Sequence, residues 1–425
     1  MSGSAATPPP VSNAQARWVL AVLVVVYALN FIDRNLLSVL LQPIKEELGA
    51  SDSAMGFLSG PAFALFYTAA GIPIARLADR GSRRKLMAAG IALWSLLTAA
   101  SGAARSFVQL ALLRVGVGIG EATATPAAHS LISDCFPPER RPGALAVYNL
   151  GASAGIFFGL LLGGWLQETL GWRVAFAAVG LPGLAVALLV RFGLPEPARG
   201  AAEGRADEAT APTLRSAVSQ LLAKRSFVHL CLAAGLYGIC GYGATMWAPT
   251  FMRRVHELPY DELGRSLGVA IGLAGAAGGL ASGWAAQRLG REDPRWLAWL
   301  PALAGLIGIP CFAVFALASD PDVALVAFSA VAFFTIVFAA PTYALAQGLA
   351  ALRLRAQASA LVLFALNLVG MGLGPWLIGG LNDAFAPRFG EEAIRYSLLL
   401  VGFAGAWGAL HSVLAARTLR ADLSS

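Results

Sequence analysis

Long apolar runs, each about the length of a bilayer crossing, alternate with short polar stretches along the whole chain. Twelve can be bounded by charge, Pro or Gly: residues 18–41, 54–75, 86–104, 107–128, 143–166, 174–192, 227–252, 267–286, 297–318, 323–349, 358–381 and 394–416. A spanning helix takes about 20 mostly apolar residues, so each run predicts one membrane-crossing helix, here called spans 1 to 12. The pattern lapses once, over residues 193–224, where Pro195, Glu196, Pro197, Gly200, Glu203, Gly204, Asp207 and Glu208 give the composition of a flexible polar linker. The expected organisation is a cytoplasmic tail (1–17), a six-helix bundle (18–192), the cytoplasmic linker (193–224), a second six-helix bundle (225–416) and a cytoplasmic tail (417–425). The fold class is an all-α membrane protein of two pseudo-symmetric bundles.

Composition sharpens this picture. The chain is 57% hydrophobic and 13% charged, about half the charge that coats a soluble domain, which excludes a large soluble catalytic domain. Its net charge of +7 does not indicate nucleic acid, because the basic residues are spread among short loops. With the N-terminus inside, 21 Lys and Arg fall on inside segments and 8 on outside ones, so both termini are expected in the cytoplasm. Arg outnumbers Lys 28 to 3, which suits a GC-rich bacterial genome and hence a bacterial inner membrane. Cys135, Cys231, Cys240 and Cys311 lack CxxC spacing and read as small packing residues. No cleaved signal peptide is indicated.

The halves resemble one another. Asp79-Arg80-Gly81-Ser82-Arg83-Arg84 between spans 2 and 3 matches Gln287-Arg288-Leu289-Gly290-Arg291 between spans 8 and 9, and Asn149 and Gly163-Gly164 of span 5 match Asn367 and Gly379-Gly380 of span 11. A duplicated six-helix unit is the arrangement of a transporter with its site between repeats.

Four charges fall deep in the spans: Asp33 and Arg34 in span 1, Arg114 and Glu121 in span 4. Each costs at least ~2.5 kcal/mol at the bilayer centre unless it faces a cavity or a partner, so all four are expected to face the bundle interior. Spans 1 and 4 run in opposite directions and place Asp33 and Arg114 at similar depth. An Asp33–Arg114 or Arg34–Glu121 contact is feasible. Such a set is either a structural network locking two helices or a working site, in which a desolvated carboxylate (Asp33 or Glu121) binds and releases a proton and the arginines hold a phosphate or carboxylate head. His129 would extend the proton path or simply pack. Asn30, Tyr148, Asn149, Tyr242, Trp247, Tyr343 and Asn367 are polar-tipped residues placed to line a cavity, with interfacial anchoring the competing reading for Trp247 above all. The glycines at 151, 155, 159 and 163 read as helix packing.

The loop from Arg76 to Lys85 resembles the signature between helices 2 and 3 of the major facilitator superfamily. The resemblance implies a cytoplasmic latch of Asp79, Arg80, Arg83 and Arg84, the acidic residue capping or pairing with a neighbouring helix end to hold the outward-open state. Ala75 stands where that family usually has Gly, which implies looser packing there. Asn30-Phe31-Ile32-Asp33-Arg34, Arg114 to Ala122, Phe136-Pro137-Pro138-Glu139-Arg140-Arg141 and Glu196 to Gly200 are similar to the Spinster-like branch, which implies an amphiphilic lipid such as a lysophospholipid or sphingosine phosphate. The neighbouring organic-anion symporters share Asn-x-x-Asp-Arg, which keeps a small organic anion or sugar acid as the alternative.

The expected protein is therefore a monomeric, proton-coupled secondary transporter working by alternating access among membrane lipids. It needs no cofactor beyond the proton and no nucleic-acid partner. The chain has no G-x-x-x-x-G-K-[ST] loop for ATP. A membrane-embedded lipid enzyme would need a nucleophile, base or metal cluster, which His129, His229, His256 and His411 are too dispersed to supply.

Overall fold

The computed structural model describes residues 12–137, 139–197, 214–351 and 354–424, and among them it is helical with no strand. Span 1 is α1 (Asn13–Leu48). Ser51 caps α2 (Asp52–Ser59) by accepting from the Ala54 amide, and Gly60 breaks it from α3 (Pro61–Arg80), so span 2 is two helices in series. Ser82 and Ser106 cap α4 (Arg83–Ser101) and α5 (Phe107–Glu121), each hydroxyl satisfying an amide with no partner inside its helix. Span 4 continues as α6 (Ala124–Cys135) after a break immediately following Glu121. Spans 5 and 6 form α7 (Arg141–Gly193), interrupted only at Gly171, whose φ of 81° suits a residue without a side chain.

The second half begins with α8 (Leu214–Leu222), inside the segment expected to be a linker. Leu214, Ala217, Val218 and Leu221 recur at helical spacing there, and Ala217 and Leu221 are buried. Then follow α9 (Arg225–His256), α10 (Tyr260–Val269) and α11 (Gly275–Glu292), joined through a π-turn at Ala270–Ala274, and α12 (Trp296–Leu317). Span 10 is α13 (Pro321–Ile336) and α14 (Ala339–Leu349); span 11 is α15 (Arg355–Ala365), a π-turn at Leu366–Met371 and α16 (Gly372–Phe389). Span 12 is α17 (Ala393–Gly402) and α18 (Ala404–Ser424). Among the described residues eight helical runs are long and apolar enough to cross a membrane, two of which carry two spans each; α3 and α4 carry spans 2 and 3, which completes twelve.

Contacts divide the chain into two compact units, Met1–Leu36 with Phe66–Gly159 and Leu170–Thr210, and Leu37–Leu65 with Leu160–Thr169 and Ala211–Ser425. In the first, Gly151, Gly155 and Gly159 of α7 lie against the α1 backbone at Val24, Ala28 and Ile32, where any β-carbon would collide. In the second, Gly238 of α9 and Gly370 of span 11 meet backbone to backbone. Without a hydrophobic drive between helices in lipid, such close approach supplies the packing energy. Leu112, Phe192, Leu280 and Val326 are strongly exposed, the outward apolar surface that lipid requires.

Candidate functional site

Both contacts feasible from span depth are present in the first unit. Arg114 Nη1 lies 2.9 Å from Asp33 Oδ2, and Arg34 Nε lies 2.7 Å from Glu121 Oε2. Consecutive residues on a helix point about 100° apart, so Asp33 and Arg34 reach different partners, while Arg114 and Glu121, seven residues apart on α5, share a face. Asp33 also accepts from Thr98 Oγ1 at 2.8 Å, which brings α4 into the site. The environments differ. The side chains of Asp33 and Arg114 are sealed and Glu121 has no exposure, whereas Arg34 retains 17%. The Arg34 guanidinium sits 4.8 Å from the Tyr67 ring centre and 5.4 Å from that of Phe31, a cation held by aromatic faces. Glu121 Oε1 is buried without a hydrogen-bond partner among the described residues.

Asn30 is buried one turn before Asp33. Tyr148 is buried and stacks on Tyr27 with ring centres 4.3 Å apart, and His129 meets Tyr148 edge-on at 5.7 Å. Asn149, next on the helix, is exposed and does not share the face of Tyr148. In the second unit, Tyr242 and Tyr343 are half-buried against one hydrophobic core, and Asn367 lies in the π-turn of span 11. Trp247 is no interfacial anchor. It is fully buried and donates from Nε1 to Pro375 O at 2.8 Å; a large aromatic ring with a satisfied N–H is a core residue.

At the start of α4, Arg83 is 2% exposed and bonds Asp134 of α6, Ser130 Oγ at 2.9 Å and Pro197 O at 2.6 Å. Glu196, just past α7, accepts from the Arg83 amide at 2.6 Å and from the Ser82 hydroxyl. Arg84 reaches Leu194 O at 3.1 Å. Glu196 thus caps α4, and Asp134 partners Arg83; sequence reading assigned neither role. Burial opposes the Glu196 charge, but the Ser82 hydroxyl and the amides of Arg83 and Arg84 outweigh it and hold the carboxyl below the usual glutamate range. The side chains of Asp79 and Arg80 lie outside the described residues.

A second charged cluster, unforeseen in the sequence, closes the end of the second unit where α1 turns into α2. Arg254 of α9 grips Asp52 through Nη1 at 2.5 Å and Nη2 at 2.7 Å, Lys45 Nζ is 2.7 Å from Oδ1, and Asn382 Nδ2 donates to Oδ2 at 3.0 Å. Asp383 of α16 accepts from the amides of Asp52 at 3.0 Å and Ser53 at 2.8 Å, capping α2. Burial raises the proton affinity of Asp52, yet the hydrogen bonds and charges of Arg254 and Lys45 prevail and keep it below the usual aspartate range. These residues sit at span ends, where they look like ordinary loop charges. An acidic residue one position after the Ser51 cap, at the mouth of a span, was the available signal.

Elsewhere, His229 of α9 and His411 of α18 face each other Nδ1 to Nδ1 at 2.9 Å. The four cysteines are free. Among the described residues no three His, Cys, Asp or Glu gather as for a metal.

Twelve apolar crossings with paired charges sealed inside one unit make a membrane-spanning carrier fold. The family description of the Major Facilitator Superfamily matches residues 23–375, and the chain belongs to that superfamily, whose members are transporters. Within it the chain is Spinster-like. It superposes with a TM-score of 0.89 and 30% identity on the crystal structure of a bacterial homolog of the human lysosomal transporter Spinster, covering 97% of this chain and 99% of that one. It is 36% identical over 412 residues to an MFS-type efflux pump of Mycolicibacterium smegmatis, covering 95% of this chain and 93% of that protein. It is 26% identical over 405 residues to a probable L-galactonate transporter of Escherichia coli, covering 92% and 86% respectively.

Proposed function

We propose that the protein is a proton-coupled secondary transporter of an anionic amphiphile of the lysophospholipid or sphingosine-phosphate kind. It acts as a monomer by alternating access in a bacterial plasma membrane, with both termini cytoplasmic. The observation that carries this reading is the asymmetry of the crossed pairs. Arg34 alone keeps access, and its partner Glu121 is wholly buried. An anionic head that hydrogen-bonds Arg34 competes with Glu121 for the guanidinium. Glu121 then loses its cation in a site where an unpaired charge is expensive, and taking a proton relieves that cost. Anion and proton are thereby linked through one residue, while Asp33, held by Arg114 across α1 and α5, is the second carboxylate of the proton-coupling pair. The Asp52–Arg254 cluster lies on the outer face in this orientation and the Arg83–Glu196 cluster on the cytoplasmic face.

The acyl chain is the less constrained part. The Spinster likeness favours a lipid. A second reading, symport of a small organic anion or sugar acid, needs the same arginine and carboxylates and draws on the relative named for L-galactonate. Uptake into proteoliposomes, comparing lysophosphatidylglycerol with galactonate, each with and without an imposed pH gradient, separates the two. Lysolipid uptake that follows the gradient supports the first; galactonate uptake alone establishes the second.

A further inference from the structure

A cavity with room for one water lies against Asp33, walled also by Trp94, Ser95 and Thr98 of α4 and by Gly180 and Gly183 in the part of α7 after Gly171. Arg34, Arg114 and Glu121 are not among its walls. Its walls carry the Asp33 carboxylate, the Thr98 hydroxyl already bonded to Oδ1, and the hydroxyl of Ser95, a residue 1% exposed. Two to four polar partners in a space of this size are what a buried water requires. A carboxylate oxygen has two lone-pair sites, so Oδ1 can accept from a water beside its bond from Thr98.

The two glycines differ in what they permit. A β-carbon on Gly180 would strike the backbone amide of Ala99 at 2.5 Å, so close helix packing accounts for that glycine. A β-carbon on Gly183 would meet only Ser95, chiefly its hydroxyl tip. At Gly183 the Ser95 side chain, not a backbone, is what leaves no room for a β-carbon.

We propose that this cavity is a water site serving Asp33, a proton-exchange station on the α4–α7 side that is separate from the Arg34 wall where the anion docks. A hydronium formed at the site gives its proton to Oδ1 and is left as water; the reverse step returns it, with Arg114 staying on Oδ2. Ser95, donor and acceptor at once, holds the water in place, and Gly183 keeps the space open. Both are positioning residues.

The inference rests on the proton-coupled reading, and the test separates the two. In proteoliposomes, lysophosphatidylglycerol uptake driven by a pH gradient is measured beside exchange of the same lipid at equal pH on both sides. Gly183→Ala, which fills the cavity, should lower gradient-driven uptake about tenfold, less than the roughly 10²–10⁴-fold of a lost proton-transfer group because Asp33 itself remains, and leave exchange and lipid affinity unchanged. Gly183→Ala with Ser95→Gly reopens the space and should recover most of the driven rate. Ser95→Ala adds no atom and should cost about threefold, reading the polar contact even if Gly183→Ala is poorly folded. Wild-type uptake indifferent to the gradient defeats the proton-coupled reading and this inference with it. A wild type that follows the gradient, with both Gly183→Ala and Ser95→Ala matching it, overturns the water site alone.

Discussion

Asp52 and Arg254, 202 residues apart in sequence, meet through two hydrogen bonds, and Lys45 and Asn382 add a third and fourth to the same carboxylate. Removing one partner of a buried pair leaves an uncompensated charge, which costs about 3 kcal/mol or more. Arg254→Gln should therefore lower the melting temperature in detergent by several degrees, and Lys45→Ala, whose partner keeps Arg254, by much less. Equal effects would mean that the bidentate contact carries no special weight.

The same cluster gives a pH expectation. The folded-state proton affinity of Asp52 is depressed, so its contribution to stability is fully present above the unfolded aspartate value, about 3.9, and fades only as pH falls through the lower folded value. The melting difference between wild type and Asp52→Asn should stay constant from pH 8 to about 5. A difference that disappears by pH 6 would show that Asp52 titrates in the physiological range.

The crossed pairs predict unequal arginines. Arg34→Ala removes an accessible contact and should weaken binding of every lysolipid by a similar factor, the buried Glu121 it leaves unpaired taking a proton. Arg114→Ala strands sealed Asp33 and should instead destabilise the fold by about 3–5 kcal/mol. Asp33→Asn and Glu121→Gln should each abolish gradient-driven uptake while the protein remains folded. Binding isotherms beside melting curves distinguish these outcomes, and wild-type coupling in both carboxylate variants would remove the site from the mechanism.

Chain length tests the cargo. Each buried methylene contributes about 0.8 kcal/mol, so affinity along a lysolipid series should climb about fourfold per added methylene and then level off. Short dicarboxylates or sugar acids binding as tightly as long-chain lysolipids would give the anion reading precedence.

Glu196 caps α4 from beyond α7, and loss of a helix cap costs about 1 kcal/mol. Glu196→Gln should lower stability by that order near neutral pH. Its folded proton affinity is also depressed, so the gap between variant and wild type should close as pH falls below the glutamate range. Melting curves across pH read both; a gap that widens in acid would contradict the capping role.

Much of the fold was legible because bilayer thickness dictates run length, and Asp33, Arg34, Arg114 and Glu121 were legible because hydrocarbon penalises a lone charge. Depth placed Asp33 level with Arg114, and Arg34–Glu121 stood beside that contact only as a feasible alternative. What escaped shares a physical character. Asp52, Arg254, Asn382 and Asp383 lie just past the ends of apolar spans, where charge is cheap and a single sequence gives no pairing signal across 200 or 330 residues. Glu196 sat in a segment read as linker because its neighbours are Pro and Gly. The π-turns at 270–274 and 366–371 leave no mark in hydropathy, since one extra residue per turn scarcely alters an apolar run. Trp247 illustrates the reverse error, an amphipathic ring offered to a cavity or the interface that finds its acceptor in Pro375 inside the core.

The crossed pairs also set an electrical property of the carrier. Asp33, Arg34, Arg114 and Glu121 in their ion-paired form sum to zero charge. One elementary charge moved through 100 mV changes the energy by about 2.3 kcal/mol, so a neutral quartet leaves the return stroke of the unloaded carrier indifferent to membrane voltage. Only what the carrier holds then feels the field: a monovalent head travelling with one proton crosses without current, and a divalent head with one proton carries a single negative charge.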